Sequence, residues 1–294
     1  MIRKGLVSTG LIMPVIKEGD NISDLLVNYL VENCEELNLR DRDVLCITES
    51  IVARAEGNYV TLDDIAQDIE RLYGKEPELV LVYPIFSRNR FSMILRGIAR
   101  ACKSIRLVLG PIDEVGNLVV NQYTGIDIEK YYQGIIEGEN CSCTFAITLE
   151  AAVWDCPNIL ISQCHPDQSL ESYIQAMMNP EIEAKIYGLK DLCSRPVSNE
   201  AGFNRDWGLL GSNKATEDKL KLFPKRETCQ TLVDEIKRRV EEKTGVKLEC
   251  LVYGDGAYKD PSSGIWEFAD PVVAPGYTRA SRNTGRSQIQ VLSR

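Results

Sequence analysis

Short apolar runs of strand length alternate along this chain with segments of helical spacing. The runs are Asp43–Thr48, Ser104–Leu109, Cys143–Leu149, Asn158–Gln163 and Leu248–Tyr253. Between them, Asp20–Asn38 places apolar side chains at Ile22, Leu25, Leu26, Tyr29, Leu30 and Leu37, the period of an amphipathic helix. Such alternation restricts the chain to helices packed on sheets. Gly110–Asn117 reads as the turn of a hairpin returning through Leu118–Gln122, so both strand directions are expected. The fold class is therefore α+β, with mixed sheets flanked by helices and a smaller subdomain. The expected division is residues 1–136 as the first part of the main domain, 137–227 as a subdomain or insertion, and 228–278 as the return to the main domain.

Local signals fix several element ends. Asn21 or Ser23 caps the first helix. Thr61 with Asp64 imitates a capping box opening a helix to Tyr73, with Gly74 beyond its end. Glu49–Glu56 reads as a short helix closed by Gly57, and Phe91–Cys102 as a basic helix. A further helix opens near Ile128; Gln168–Met178, Pro180–Leu192 and Gln230–Glu242 complete the helical set. Ser194–Lys214 reads as an ordered loop.

The 294 residues suffice for a large core. Lys and Arg number 34 against 43 Asp and Glu, a net charge of -9, which argues against nucleic acid and anionic membranes as partners. No stretch reaches membrane-spanning length and no cleavage pattern follows the amino terminus, so a soluble, cytoplasmic protein is expected. The ten cysteines are scattered through apolar segments and read as reduced core thiols. His165 is the single histidine, which excludes multi-histidine metal sites. No Walker or Gly-x-Gly-x-x-Gly loop is present.

Chemistry-bearing residues gather in four places. Gly254-Asp255-Gly256 ends the Leu248–Tyr253 strand and presents Asp255 at its edge, followed by Lys259, Asp260, Glu267 and Asp270. A hard cation carrying phosphate oxygens needs such carboxylates; a solvated hairpin turn would carry the same residues. Arg88 and Arg90, with Arg96 and Arg100, reverse the sign of an acidic chain locally, and a guanidinium fork suits phosphate. A basic surface helix end is the plainer alternative. Asp127 is a second carboxylate at a strand end and equally a favoured N-cap. Gly211-Ser212-Asn213 with Lys214 offers backbone N–H groups and a cation to a phosphate.

These residues carry a resemblance. Gly19-Asp20, Asp43-Val44-Leu45, Ser50–Gly57, Gly125-Ile126-Asp127 and the strand ending at Asp255 resemble the coenzyme F420-0:L-glutamate ligases, over most of residues 9–136 and roughly 245–265. The resemblance implies a homodimeric, GTP-dependent (or ATP-dependent) γ-glutamyl ligase. Asp127 and Asp255 would hold Mg or Mn, and Arg88, Arg90, Lys259, Ser212 and Asn213 would bind the nucleotide. Glu49 and Asp113 are the candidate catalytic carboxylates. A small-molecule carboxylate would be activated as an acyl phosphate and joined to glutamate, which needs positioning and charge neutralisation rather than a protein nucleophile. Two departures mark a divergent branch. Gly256 stands where the family has a hydroxyl residue, and Ala257–Pro261 replaces an arginine-rich segment. A nucleotide- or metabolite-binding protein that has lost ligation is the alternative, and a structural interaction protein a third class. Residues 279–294 lack an apolar pattern and are expected to be an aberrant or disordered tail. Permissible codons read one nucleotide later there encode the Gly-Thr-Pro-x-Glu stretch with which this branch continues, so a frameshifted, truncated end is expected.

Overall fold

The computed structural model describes residues 7–82, 88–109, 125–162, 168–194, 208–253, 256–259, 266–269 and 289–293. Along the chain, β1 (Val7–Gly10), α1 (Ile22–Glu32), β2 (Val44–Thr48), α2 (Glu49–Ala55), β3 (Tyr59–Thr61) and α3 (Leu62–Tyr73) come first. They are followed by β4 (Glu78–Val82), α4 (Arg88–Ala101), β5 (Ser104–Val108), α5 (Ile128–Glu137), β6 (Ser142–Phe145), α6 (Leu149–Val153), β7 (Asn158–Ile161), α7 (Gln168–Met177) and β8 (Lys185–Gly188). A 3-10 turn at Gly208–Gly211 precedes β9 (Ser212–Lys214), β10 (Lys219–Leu222), α8 (Arg226–Thr244), β11 (Glu249–Tyr253), β12 (Gly256–Lys259), β13 (Trp266–Ala269) and β14 (Ile289–Ser293).

Parallel and antiparallel sheets coexist, as an α+β fold requires. The largest sheet has five strands in the order β6-β5-β4-β7-β8, all parallel. In chain sequence this order is 3-2-1-4-5, a doubly wound arrangement that reverses direction between β4 and β7. Strand alternation covers both faces. Leu79 and Leu81 of β4 pack with α3, α4 and α5 on one side, and Val80 and Val82 pack with α6 and α7 on the other. Each fully buried Leu or Val stabilises by about 1.5–3 kcal/mol, so a sheet covered twice anchors the chain.

A second sheet, β1-β14-β2-β11, is mixed: β11 runs parallel to β2, and β14 lies antiparallel between β1 and β2. Its β2 and β11 residues share a core with α1 and α8. The ion pair of Arg239 with Asp24, at 2.7 Å, ties these two helices. The third sheet is antiparallel and small, β3-β10-β9, and β12 pairs with β13 alone.

The hairpin expected over residues 110–122 lies outside the described residues, and both edges of β5 are occupied, by β4 and β6. One expectation needs correction. Pro180–Leu192 is not helical, since Lys185–Gly188 forms the edge strand β8, where pairing to β7 outweighs local preference. Strand pairings cross residue 137: β5 before it pairs with β6 after it, and β3 pairs with β10. Of the tail, residues 289–293 form a strand, consistent with the β-prone Ile289, Val291 and Leu292; 279–288 lie outside the described residues.

Local capping agrees with the sequence. Asn21 caps α1, its side chain accepting from Asp24 N at 3.0 Å, and Thr61 with Asp64 forms the full capping box of α3. All described cysteines are free, and most are buried. Burial pushes the Cys46 thiol up to about 11 and the Cys141 thiol up to about 12.

Candidate ligand site

Tyr253 at the end of β11 is in register with Thr48 at the end of β2. Because the two strands are parallel, both segments leave the sheet on the same side, where ligands bind in open parallel sheets. From β2 the chain turns at once into α2, with Thr48 as N-cap. Glu49, its first residue, is buried. From β11 the chain runs through residues 254–255 into β12. Asp255 lies outside the described residues; the start of α2, with Glu49, follows the strand end that is in register with the end of β11.

α2 is fastened to β10 at both ends. At its start, the Lys221 ammonium donates to the Ser50 hydroxyl. Beyond its end, buried Asn58 donates through Nδ2 to the carbonyls of Leu222 and Phe223, each at 3.1 Å, and its own carbonyl accepts from Leu222 N at 2.9 Å. Gly57, at φ +64°, permits this turn; a Cβ there would lie 2.5 Å from Oε1 of Glu18. The loop carrying Glu18 docks on the same end, with Gly19 N donating to Ala55 O at 2.8 Å. Glu56, the C-cap, is held among these elements. Burial pushes its carboxyl up to about 7, Lys225 partly opposes the rise, and Oε2 is buried with no hydrogen-bond partner among the described residues.

Of the other predicted residues that are described, Arg88, Arg90 and Asp127 lie at the starts of helices that follow strands of the five-stranded sheet, Ser212 and Asn213 lie on β9, and Lys259 lies on β12. Arg88 and Arg90 open α4 directly after the β4 connection. Asp113, in the connection after β5, lies outside the described residues. Asp127 is the N-cap of α5: Oδ1 accepts from Lys130 N at 3.2 Å and Oδ2 pairs with Lys130 Nζ at 3.5 Å. Ser212 is buried and its hydroxyl donates to Leu209 O at 2.6 Å. Asn213 is opposite Lys221 in the β9–β10 register, and β9 packs against α4. Lys259 is the last residue of β12. The small sheet thereby links α4 to α2.

Arg96 and Arg100 do not join a phosphate clamp. Arg96 Nε meets Glu139 at 2.9 Å, while Arg100 bridges Glu139 at 2.8 Å and Asp63 at 2.7 Å. Burial alone would raise the Glu139 carboxyl, but hydrogen bonds from Arg100 and Arg96 overcome it and hold it below the ordinary value. These arginines fasten α4 to the end of α5 instead.

Lys221, Asn58 and Glu56 are absent from the sequence prediction. Lys219-Leu-Lys-Leu222 alternates as a half-exposed strand would, which suggests solvent for both lysines. Among the described residues no group of three or more His, Cys, Asp or Glu side chains converges as a metal site, and the one described candidate ligand, Asp127, is engaged in capping. Among them, too, no helix is long and apolar enough to cross a membrane.

Comparison with known proteins bears on this geometry. A family model described as F420-0:Gamma-glutamyl ligase matches residues 10–288. The chain is similar to the coenzyme F420:L-glutamate ligase of Methanothermobacter thermautotrophicus, 41% identical over 73 residues, covering 23% of this chain and 28% of that protein. It is also similar to the enzyme of the same name from Methanosarcina mazei, 36% identical over 84 residues, covering 27% of this chain and 30% of that protein. The counterpart from Methanosarcina acetivorans is 38% identical over 83 residues, covering 26% and 29%. In each case the aligned part spans less than a third of the relative.

Proposed function

Because the chain belongs to the F420-0:Gamma-glutamyl ligase family, we propose that it is a ligase joining L-glutamate through its amine to a carboxylate of a small molecule. A nucleoside triphosphate, GTP or ATP, serves as co-substrate. The acceptor carboxylate attacks the γ-phosphorus and the nucleoside diphosphate leaves. The glutamate amine then attacks the acyl carbon, inorganic phosphate leaves, and the amine proton passes to solvent or a base. This chemistry asks the protein for in-line positioning and neutralisation of phosphate charge. The observation that supports the proposal is the pairing of β2 with β11, which brings the start of α2, with its buried Glu49, next to the end of β11.

A divalent cation, Mg or Mn, accompanies the nucleotide in this proposal, with Asp127 and Asp255 as candidate donors and charge neutralisation as its contribution. The described donors do not by themselves make a metal centre, since Asp127 caps α5, so no step is derived through the cation. Arg88, Arg90, Lys259 and Asn213 are the proposed nucleotide contacts, and Glu49 and Asp113 are assigned to the reacting groups. A homodimer, as the resemblance implies, and a cytoplasmic location belong to the same proposal.

The test is turnover: isotopically labelled L-glutamate, GTP or ATP, Mg or Mn and F420-0, with and without Asp255→Ala, following labelled product and phosphate release. Nucleotide-dependent labelled product that disappears in the variant supports the ligase. The engagement of Asp127 with Lys130 favours a second reading, a nucleotide-binding protein without ligation. Nucleotide binding with neither product nor phosphate release would select it.

A further inference from the structure

We propose that Lys221 binds the polyphosphate of the nucleotide co-substrate, at the carboxyl ends of β2 and β11. The nucleotide's identity rests on the ligase reading above; the role of Lys221 is argued from its own position.

β10 is the middle strand of its sheet, and its alternation divides its residues between two faces. Leu220 and Leu222 are buried in the core shared with α3 and α4, so Lys221 belongs to the opposite face. That face is covered by α2, where the ammonium donates to the Ser50 hydroxyl. Ser50 follows Glu49 directly and stands two residues beyond the end of β2. The register sets Tyr59 and Asn213 on either side of Lys221. The ammonium thus lies at the start of α2, on a strand flanked by β3 and β9.

Lys221 is only 7% exposed, so its long stem has lost its rotamer freedom before any ligand arrives. A preorganised ammonium of this kind binds an anion without the ordering cost that a surface lysine incurs. In a chain of net charge -9, a polyanion needs such a local focus. The fastening of Asn58 to Leu222 and Phe223 fixes the strand that carries it. If the position served packing alone, an unbranched apolar side chain of similar length would replace lysine without consequence.

The experiment compares wild type with Lys221→Met and Lys221→Arg, using thermal melting and calorimetric titration with inorganic tripolyphosphate and, separately, guanosine. The expected result for Lys221→Met is a folded protein that melts lower than wild type through loss of the bond to Ser50, with tripolyphosphate affinity reduced about tenfold or more and guanosine affinity unchanged. Lys221→Arg retains tripolyphosphate binding. Should Lys221→Met fail to fold, Lys221→Arg decides, and loss of tripolyphosphate binding there overturns the proposal. It is also overturned if wild type does not bind tripolyphosphate, if Lys221→Met binds it as wild type does, or if both probes weaken equally. Lys221-dependent tripolyphosphate binding in a protein without nucleotide turnover would sink the ligase reading and leave this one standing.

Discussion

Replacing Glu56 by glutamine should remove a pH dependence from the stability of this protein. The Glu56 carboxyl is raised from an ordinary 4.5 to about 7 in the folded chain, chiefly by burial, with Lys225 pulling it back. Below about pH 4.5 the group is protonated in both folded and unfolded chains. As pH rises from 4.5 to about 7, the unfolded chain releases this proton while the folded chain keeps it, so stability falls. Above 7 the full penalty of a buried carboxylate is present. At about 1.4 kcal/mol per pH unit the gap corresponds to about 3 kcal/mol, and partial exposure reduces this through solvent screening to about 1–2 kcal/mol. Glutamine is neutral throughout. Any constant cost of its amide beside the unpartnered oxygen's site cancels when two pH values are compared. Urea unfolding of both proteins at pH 4.5, 6, 7 and 8, with equal slopes, gives the difference directly. The advantage of Glu56→Gln should grow by about 1–2 kcal/mol between pH 4.5 and pH 8. A difference that stays constant over that range, or shrinks, refutes the assignment of the penalty to this carboxyl.

Two further substitutions probe the scaffold. Asn58→Ala strips two buried carbonyls of their donor and should cost about 2–4 kcal/mol, read from the urea midpoint; a loss below about 1 kcal/mol would mean that other donors replace the carboxamide. Gly208→Ala places a Cβ 2.3 Å from Leu192 O and 2.6 Å from Lys190 O at φ +50°, so backbone must move. It should lower stability by about 3 kcal/mol or more, and near-normal melting would show that residues 189–192 yield easily.

What the sequence discloses follows the range of the forces involved. The Thr61–Asp64 capping box and the Asn21 cap are contained within four residues, and both are found where local spacing places them. The apolar runs of β2 and β11 are equally plain. Their pairing is not, since it joins residues 44–48 to 249–253 and no local signal names a parallel partner. Lys185–Gly188 is four residues long and partly exposed, too short to show a period against the helical spacing around it. β3 and β9, three residues each, are shorter still. At the candidate site, Glu49 and the strand end before Asp255 follow from turn signals after apolar runs. Lys221 does not, because a lysine between two leucines looks solvated until a helix from far along the chain is laid over it. Arg96 and Arg100 err the other way: their partner Glu139 lies about forty positions distant, so sequence alone leaves them looking unclaimed.

The buried thiols also make the folded chain its own clock. A thiol reacts with an alkylating reagent as its thiolate, and burial holds Cys46 and Cys250 of the mixed sheet, like Cys102 and Cys141 beside the five-stranded one, far from ionising at neutral pH. Their labelling therefore waits for the structure around them to open. Mass spectrometry of each peptide after timed exposure would record how often each sheet opens, without a fluorophore or an engineered probe, and would show whether the edge holding Glu49 opens with the rest of the protein or ahead of it.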